Sequence, residues 1–401
     1  MRPVSPATTV PRAIGGVGRW SRADYAHNPE PRRINVLAKT VRTGVILVAV
    51  MLLGNTLPAL ADPLSPRPGP ANTPAQAPAP VGVFGADTPP KHKFVFSLLA
   101  SAIQLRGNRI GERAVSAPYI IANVVSPDTP AGSHLLRMVP SNSEIETESL
   151  AVAYGLGDAL SLLASTSLVQ KDVRIRAYQG LAGTTELGSS VGATSGLGDT
   201  TIAAIGRVYQ DRTNRLNLTV GLVLPTGSTT RTMAVLVPDG TRPDKRAFYA
   251  MQPGAGTVDL LPGVAYSGIS RAWSWGASYR ARLPLDRNAP GWRYGDLHEV
   301  NAWVGYSLVP GLETTMRLNA STQGAIGGED AVIKGFAQGS DPAFYGGRQA
   351  CLYLGAIVSG RFVGAPRAQF GIEAGAPFYQ DLNGPQLSRS WQLNLAIRIR
   401  R

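Results

Sequence analysis

An antiparallel, up-and-down transmembrane β-barrel of about twelve strands is the fold this sequence predicts, and three observations predict it. Segments of alternating apolar and polar residues recur at close to bilayer-spanning length, which for a tilted strand is roughly 9–11 residues. The connections between them alternate between short and long. The composition also fits a turn-rich β chain: 16% of residues are charged, 44% are hydrophobic, and Gly and Pro together number 76 of 401. A helical membrane protein would repeat apolar runs of about 18 residues or more. The one continuous apolar run here is VILVAVMLL, near the N-terminus.

That run belongs to a leader. Arg32, Arg33, Lys39 and Arg42 precede it, and LPALA ends at Ala61. Basic region, short apolar region and an Ala-x-Ala site form a secretory signal peptide cleaved near Ala61. The run is too short for a membrane anchor, and the stretch before Arg32 is assigned no fold. Residues 62–90 hold nine prolines among 29 residues, the composition of a disordered or polyproline-like spacer. The sequence thus divides into a leader and N-terminal extension (1–61), a spacer (62–90) and a barrel (91–401). Eight basic and two acidic residues lie before Asp62, so the leader carries +6 of the net charge of +13. The remaining basic residues are dispersed rather than clustered with aromatics, which argues against nucleic acid as a partner. A single cysteine, Cys351, excludes an internal disulfide and any CxxC metal site.

The strands follow in order. KFVFSLLASAIQL (93–105) opens the barrel, and ESLAVAYGL (148–156) and ALSLLASTSLV (159–169) meet at the turn Gly157–Asp158. DTTIAAIGRVY (199–209) and RLNLTVGLVL (215–224) flank the turn 210–214. TVDLLPGVAYSG (257–268) and AWSWGASYRARL (272–283) flank 269–271, and LHEVNAWVGYSLV (297–309) and LETTMRLNAST (312–322) flank 310–311. RQACLYLGAIVS (348–359) and RAQFGIEAG (367–375) flank 360–366, and SWQLNLAIRIR (390–400) closes the chain. The other connections, 106–147, 170–198, 225–256, 284–296, 323–347 and 376–389, are long. Short turns on one side and long loops on the other belong to an outer-membrane barrel with short turns and both termini in the periplasm.

The two faces of each strand agree with this. In RLNLTVGLVL the residues Leu216, Leu218, Val220, Leu222 and Leu224 share one face, opposite Asn217 and Thr219. Several strands place charges opposite their apolar face, and burying these in a dry core would cost kilocalories each. A wet lumen removes that cost. Arg207, Asp259, Arg280, Arg282, Glu299, Glu313, Arg317, Glu373 and Arg398 are the candidate lumen-lining residues. They suit either a polar pathway that attracts anionic or phenolate-like solutes or a neutralising network that braces the wall. Trp273, Trp275, Trp292, Trp303, Tyr279 and Tyr306 are read as girdle or rim aromatics.

Several of these stretches resemble the outer-membrane transporter family named for the MetA pathway of phenol degradation. They are SGLGDTTIAAIGRVYQD (195–211), RLNLTVGLVLPTGS (215–228), YAMQPGAGTVDLLPGVAYSG (249–268), WSWGASYRARL (273–283), YGDLHEVNAW (294–303) and YQDLNGPQL (379–387). The resemblance spans about 190–400 and implies an outer-membrane barrel that transports hydrophobic aromatic compounds. Such barrels usually end in an aromatic residue that aids insertion, whereas this chain ends in IRIRR.

Other motifs carry no chemistry. GSSVG (188–192) matches the nucleophile-elbow pattern, but it sits in a Gly/Ser/Thr-rich stretch with no helical run after it and is read as a flexible loop. His92, His134 and His298 lack metal-ligand spacing. His298 follows Asp296 near the outer rim, where a lipid-active hydrolase would also need a serine beside it. The reading is therefore a non-enzymatic barrel giving passive passage to small molecules, with no cofactor, metal or catalytic residue. Its partners are outer-membrane lipids, the barrel-insertion machinery and a small-molecule solute. A rim lipid enzyme and a closed structural or interaction barrel are the alternatives.

Overall fold

The alternating segments pair edge to edge into a closed wall. The computed structural model describes residues 78–125 and 136–401; the expected leader and the first part of the expected spacer lie outside them. In chain order the strands are β1 (Phe94–Gly111), β2 (Arg113–Val115), β3 (Met138–Gly155), β4 (Leu160–Tyr178), β5 (Glu186–Leu197) and β6 (Thr200–Gln210). Then come β7 (Asn214–Leu224), β8 (Thr232–Ala234), β9 (Asp244–Arg246), β10 (Asp259–Ser270), β11 (Trp273–Pro284) and β12 (Trp292–Arg293). The last are β13 (Leu297–Val309), β14 (Leu312–Gln323), β15 (Gly327–Gly328), β16 (Gly347–Ser359) and β17 (Ala368–Arg400). Among the described residues no helix is long and apolar enough to cross a membrane.

The ring runs β1-β3-β4-β6-β7-β10-β11-β13-β14-β16-β17, and β17 pairs back onto β1. Neighbours are antiparallel throughout. At 33 residues, a straight β17 would reach about 110 Å, several bilayers' worth. It is instead a hairpin: residues 369–382 pair with β16 and 382–400 with β1. Its arms face each other through Glu373–Asn394 and Gln380–Arg389 hydrogen bonds, and Gly384, at φ 64°, sits at the bend. Counting both arms, the wall has twelve staves. Phe94 and Arg401 close it by exchanging two backbone hydrogen bonds of 2.9 Å.

Burial is inverted relative to a soluble sheet. In β7, Arg215, Asn217 and Thr219 are buried, whereas Leu218 and Val220 are 46% and 65% exposed. The same phase holds in β14, where Thr315, Arg317 and Asn319 are buried and Met316 and Leu318 exposed. Polar inside and apolar outside is the arrangement of a barrel wrapped in lipid. The stretch RLNLTVGLVL therefore turns its leucines to lipid and Asn217 and Thr219 to the interior.

Several elements differ from expectation. β1, β3 and β4 run 6–10 residues further toward the long-loop end than their lipid-facing pattern. Residues 138–147 (MVPSNSEIET) have no alternation because neither face meets lipid there, yet they pair with β4 apart from a bulge at Ser141. Residues 186–197, GSSVG included, form β5 on the upper half of β4 rather than a loop. Ser190 Oγ accepts a hydrogen bond from Leu236 N at 2.8 Å, a structural duty. The expected loop 376–389 is the paired tip of the β17 hairpin. Trp303 is buried inside the barrel, and Trp292 is fully buried in the loops; neither is a girdle residue. Trp273 and Tyr306 do lie outside, ring to ring at 4.8 Å. Finally, residues 78–90, expected to be spacer, lie inside the barrel.

The long loops fold over their end of the wall as a small cap with its own apolar cores. One unites Met138, Val173 and Ile175 with Met233, Val235, Met251 and Ala337. Another stacks Tyr249, Trp292, Ile326 and Ile333. A third sets Ile120 and Ile121, on the short helix Ala117–Asn123, against Val139 and Tyr178.

Candidate functional site

Inside the wall, residues 78–90 form a re-entrant loop. Ala79 and Val81 lie beside Ile357, Gln369 and Gly371, close to the 360–367 turn. Midway up, Gly82 meets the Arg317 and Glu373 side chains, and Phe84 lies under the Arg280 guanidinium at 5.7 Å. Asn217 Nδ2 donates to Gly85 O (3.0 Å) and Ala86 O (2.9 Å). The chain then descends, Asp87 pairing with Arg398 at 2.6 Å, to Pro90 beside Gly155 at the short-turn end. Ala79, Val83 and Ala86 bury an apolar edge against Ala265 and Trp303. Trp303 fits inward because Gly276, on the neighbouring strand, has no side chain in its way.

The charged residues on the inner face are mostly paired. Arg280 Nη2 reaches both oxygens of Glu299 at 3.1 Å, and Asn301 Nδ2 donates to Glu299 at 3.0 Å. Arg317 donates to Asn301 Oδ1 (2.6 Å) and grips Glu373 with Nε (3.0 Å) and Nη2. It also lies over the Tyr353 ring at 4.1 Å. Asn394 donates to Glu373 at 3.1 Å, and Gln392 to Asn394 at 3.0 Å. A continuous chain of hydrogen bonds thus crosses β11, β13, β14 and both arms of β17. Removing one member of such a buried pair strands its partner, at a cost of about 3–5 kcal/mol.

Arg282 sits higher, between Asp259 and Asp199 (3.0 Å to the latter). Asp199 also accepts from Gly227 N (3.2 Å) and Ala255 N (2.9 Å). Three sequence pieces, GLGD, LPTG and PGAG, therefore converge on one carboxylate that fastens two loop roots and an arginine at the mouth. Glu313 accepts from Ser274 Oγ. Arg207 donates to Asp158 O at the opposite end, and among the described residues it forms no salt bridge. Sequence reasoning placed Asn217 on the inner face but missed Asp199, Asp87 and Asn301; GLGD was the one available signal, since the others depend on strand register or on the loop.

Between the re-entrant loop and the β1–β3–β4–β6 side lies a cavity of about 450 Å³. Leu99, Ala151, Leu163, Ile205, Val223 and Leu261 give it an apolar wall, with Ser97, Ser149 and Thr201 interspersed. Arg280 and Arg282 reach it toward the long-loop end, Arg398 and Arg400 toward the short-turn end. The interior is thus two-sided: a polar, cross-linked half that seats the loop, and an apolar half that stays open.

His298 lies elsewhere. Its Nδ1 shares a hydrogen bond of 2.9 Å with Tyr279 Oη, and the two rings stack at 6.1 Å. On that strand face the histidine is one of an aromatic pair on the outer surface. Among the described residues no three His, Cys, Asp or Glu side chains are grouped so as to hold a metal.

No protein-family model matches the chain, and no curated protein matches it. Several solved structures resemble it over most of its length. An outer membrane channel from Pseudomonas putida F1 is 16% identical, with a TM-score of 0.49 over 84% of this chain and 100% of that one. The toluene transporter TbuX from Ralstonia pickettii is 10% identical, with a TM-score of 0.40 over 79% and 92%. A FadL homologue from Pseudomonas aeruginosa is 11% identical, with a TM-score of 0.37 over 77% and 90%. The barrel assignment rests on the hydrogen-bonded ring and its inverted burial.

Proposed function

We propose that the protein is an outer-membrane channel through which small amphipathic anions diffuse, with no covalent chemistry. Export by the signal peptide ending near Ala61, and handling by the barrel-insertion machinery, would bring it there. The short turns face the periplasm and the capped end faces outward. Residues 78–90 act as a plug entering from the periplasmic side, so solute passes along the open half of the lumen. The observation that carries this reading is the cavity itself: about 450 Å³, the size of a small-ligand site, apolar along one wall and arginine-bearing toward both ends. A flat apolar body with one negative charge, such as a phenolate or an aromatic carboxylate, matches that lining. The aromatic body is what the family resemblance implies, and the negative charge is what the arginines add. The paired arginines brace the wall and supply field at the same time.

Single-channel recording of the refolded chain from Asp62, under a KCl gradient, tests this. The expected reversal potential shows anion preference, and Arg400→Glu lowers it. Cation preference, or a folded barrel that passes no current, would refute the anion pathway and favour a closed interaction barrel.

A further inference from the structure

We infer that the outer cap carries a second binding site, separate from the lumen, for a small amphipathic carboxylate or phenolate. Three loops that start from distant parts of the wall meet there around a cavity of about 410 Å³. Its walls are apolar: Leu181, Met233, Val235, Phe248, Val332 and Phe336. Two of these, Leu181 and Val332, are 52% and 62% exposed. In the lipid belt such exposure is ordinary, but these residues stand on loops beyond the membrane, where apolar surface meets water and marks a contact site.

Charge names the class of occupant. Lys245, Arg246 and Lys334 line the cavity, against the single acid Asp239. Asp239 is committed to its own turn, accepting from Thr241 N (2.8 Å) and Thr241 Oγ1 (2.6 Å). Arg246 is held by Asp330 at 2.6 Å. Lys334 pairs with Glu329 at 3.2 Å, both side chains about half exposed, a pair that water weakens and a better acceptor can displace. Lys245 is exposed beside the cavity with no ion pair among the described residues. An apolar pocket with an available ammonium at its edge suits an apolar body bearing one anionic head, held by a charge-assisted hydrogen bond. The volume is in the range of small-ligand sites and too small for a protein segment.

Equilibrium dialysis of 2-naphthoate against the protein in lipid vesicles, with empty vesicles as the control for partitioning, tests the site. Saturable binding is expected, with 2-naphthol, neutral at pH 7, binding more weakly. Lys245→Glu should weaken naphthoate binding about tenfold or more, which corresponds to about 1.4 kcal/mol, and Val332→Asp should weaken it comparably. Both residues are exposed, and heat-dependent gel mobility verifies that each variant folds. The lumen can also take up naphthoate, so the cap site is read as the saturable component that Lys245→Glu and Val332→Asp remove and Arg400→Glu does not. Uptake no greater than by empty vesicles would overturn the inference. So would binding that survives both cap substitutions, and loss with Arg400→Glu alone would place the ligand in the lumen.

Discussion

Val220 offers the sharpest test of which way the wall faces. It lies near the middle of β7, four residues from its outer end, is 65% exposed, and is flanked by Ala204 and Pro262 on the neighbouring strands. No carboxylate sits beside it on that face. An arginine there would meet hydrocarbon, and at the bilayer midplane this costs about 2–4 kcal/mol. The folded-to-unfolded ratio should fall about 30- to 1000-fold. Leu160, also outward and exposed but at the first position of β4 by the short turn, lies at the interface, where the same change costs about 0–1 kcal/mol. Reversible urea unfolding in lipid vesicles, followed by tryptophan fluorescence and by heat-dependent gel mobility, gives both values. If Val220→Arg and Leu160→Arg both fall within about 0.5 kcal/mol of the parent, as surface substitutions in water do, the outer face is not in lipid and the inverted-burial argument fails.

Two further outcomes follow from packing and burial. Gly276→Val should destabilise by about 1–3 kcal/mol through overpacking, because its side chain runs into the Trp303 ring and Tyr266 O; unfolding of the double variant with Trp303→Leu should recover part of the loss. In the cap, burial raises the phenol pKa of Tyr294 and of Tyr345 above the ordinary value of 10.0, and both hydroxyls donate to backbone carbonyls. Since the folded pKa is the higher, their contribution is complete below pH 10 and is lost as pH rises through the folded pKa. Alkaline titration should show two phenols that ionise only when the cap opens, and Tyr294→Phe with Tyr345→Phe should flatten the loss of cap stability above pH 10.

The lipid-facing strands were legible because lipid imposes a strict period of two on one face. Where neither face meets lipid the pattern vanishes, which is why residues 138–147 and 186–197 read as loops although they are paired strand. Trp303 illustrates a signal present but misweighted. It shares parity with Glu299 and Asn301, so its phase pointed inward while its residue type suggested a girdle. The pairings of Arg317 with Glu373 and of Arg282 with Asp199 depend on which strands become neighbours, and alternation alone does not carry that information. The re-entrant loop was hidden by its prolines. Within them, PAPVGVFGAD places small and apolar residues between the breakers, the composition of a segment that packs rather than one that stays solvated.

The plug is the claim on which the functional reading turns. A Cβ built on Gly85 lies 3.9 Å from the Thr219 Cβ, within disulfide range, so Gly85→Cys with Thr219→Cys should lock the loop to the wall; at φ 78° the cysteine costs roughly 1–2 kcal/mol. The measurement is single-channel conductance of this pair in a background carrying Asp87→Ala and Asn217→Ala, recorded oxidised and then reduced. Oxidised barrels are expected to show steps as small as the parent's, and reduction should enlarge them as the unanchored loop leaves the lumen. Identical steps before and after reduction would contradict a plug that limits passage.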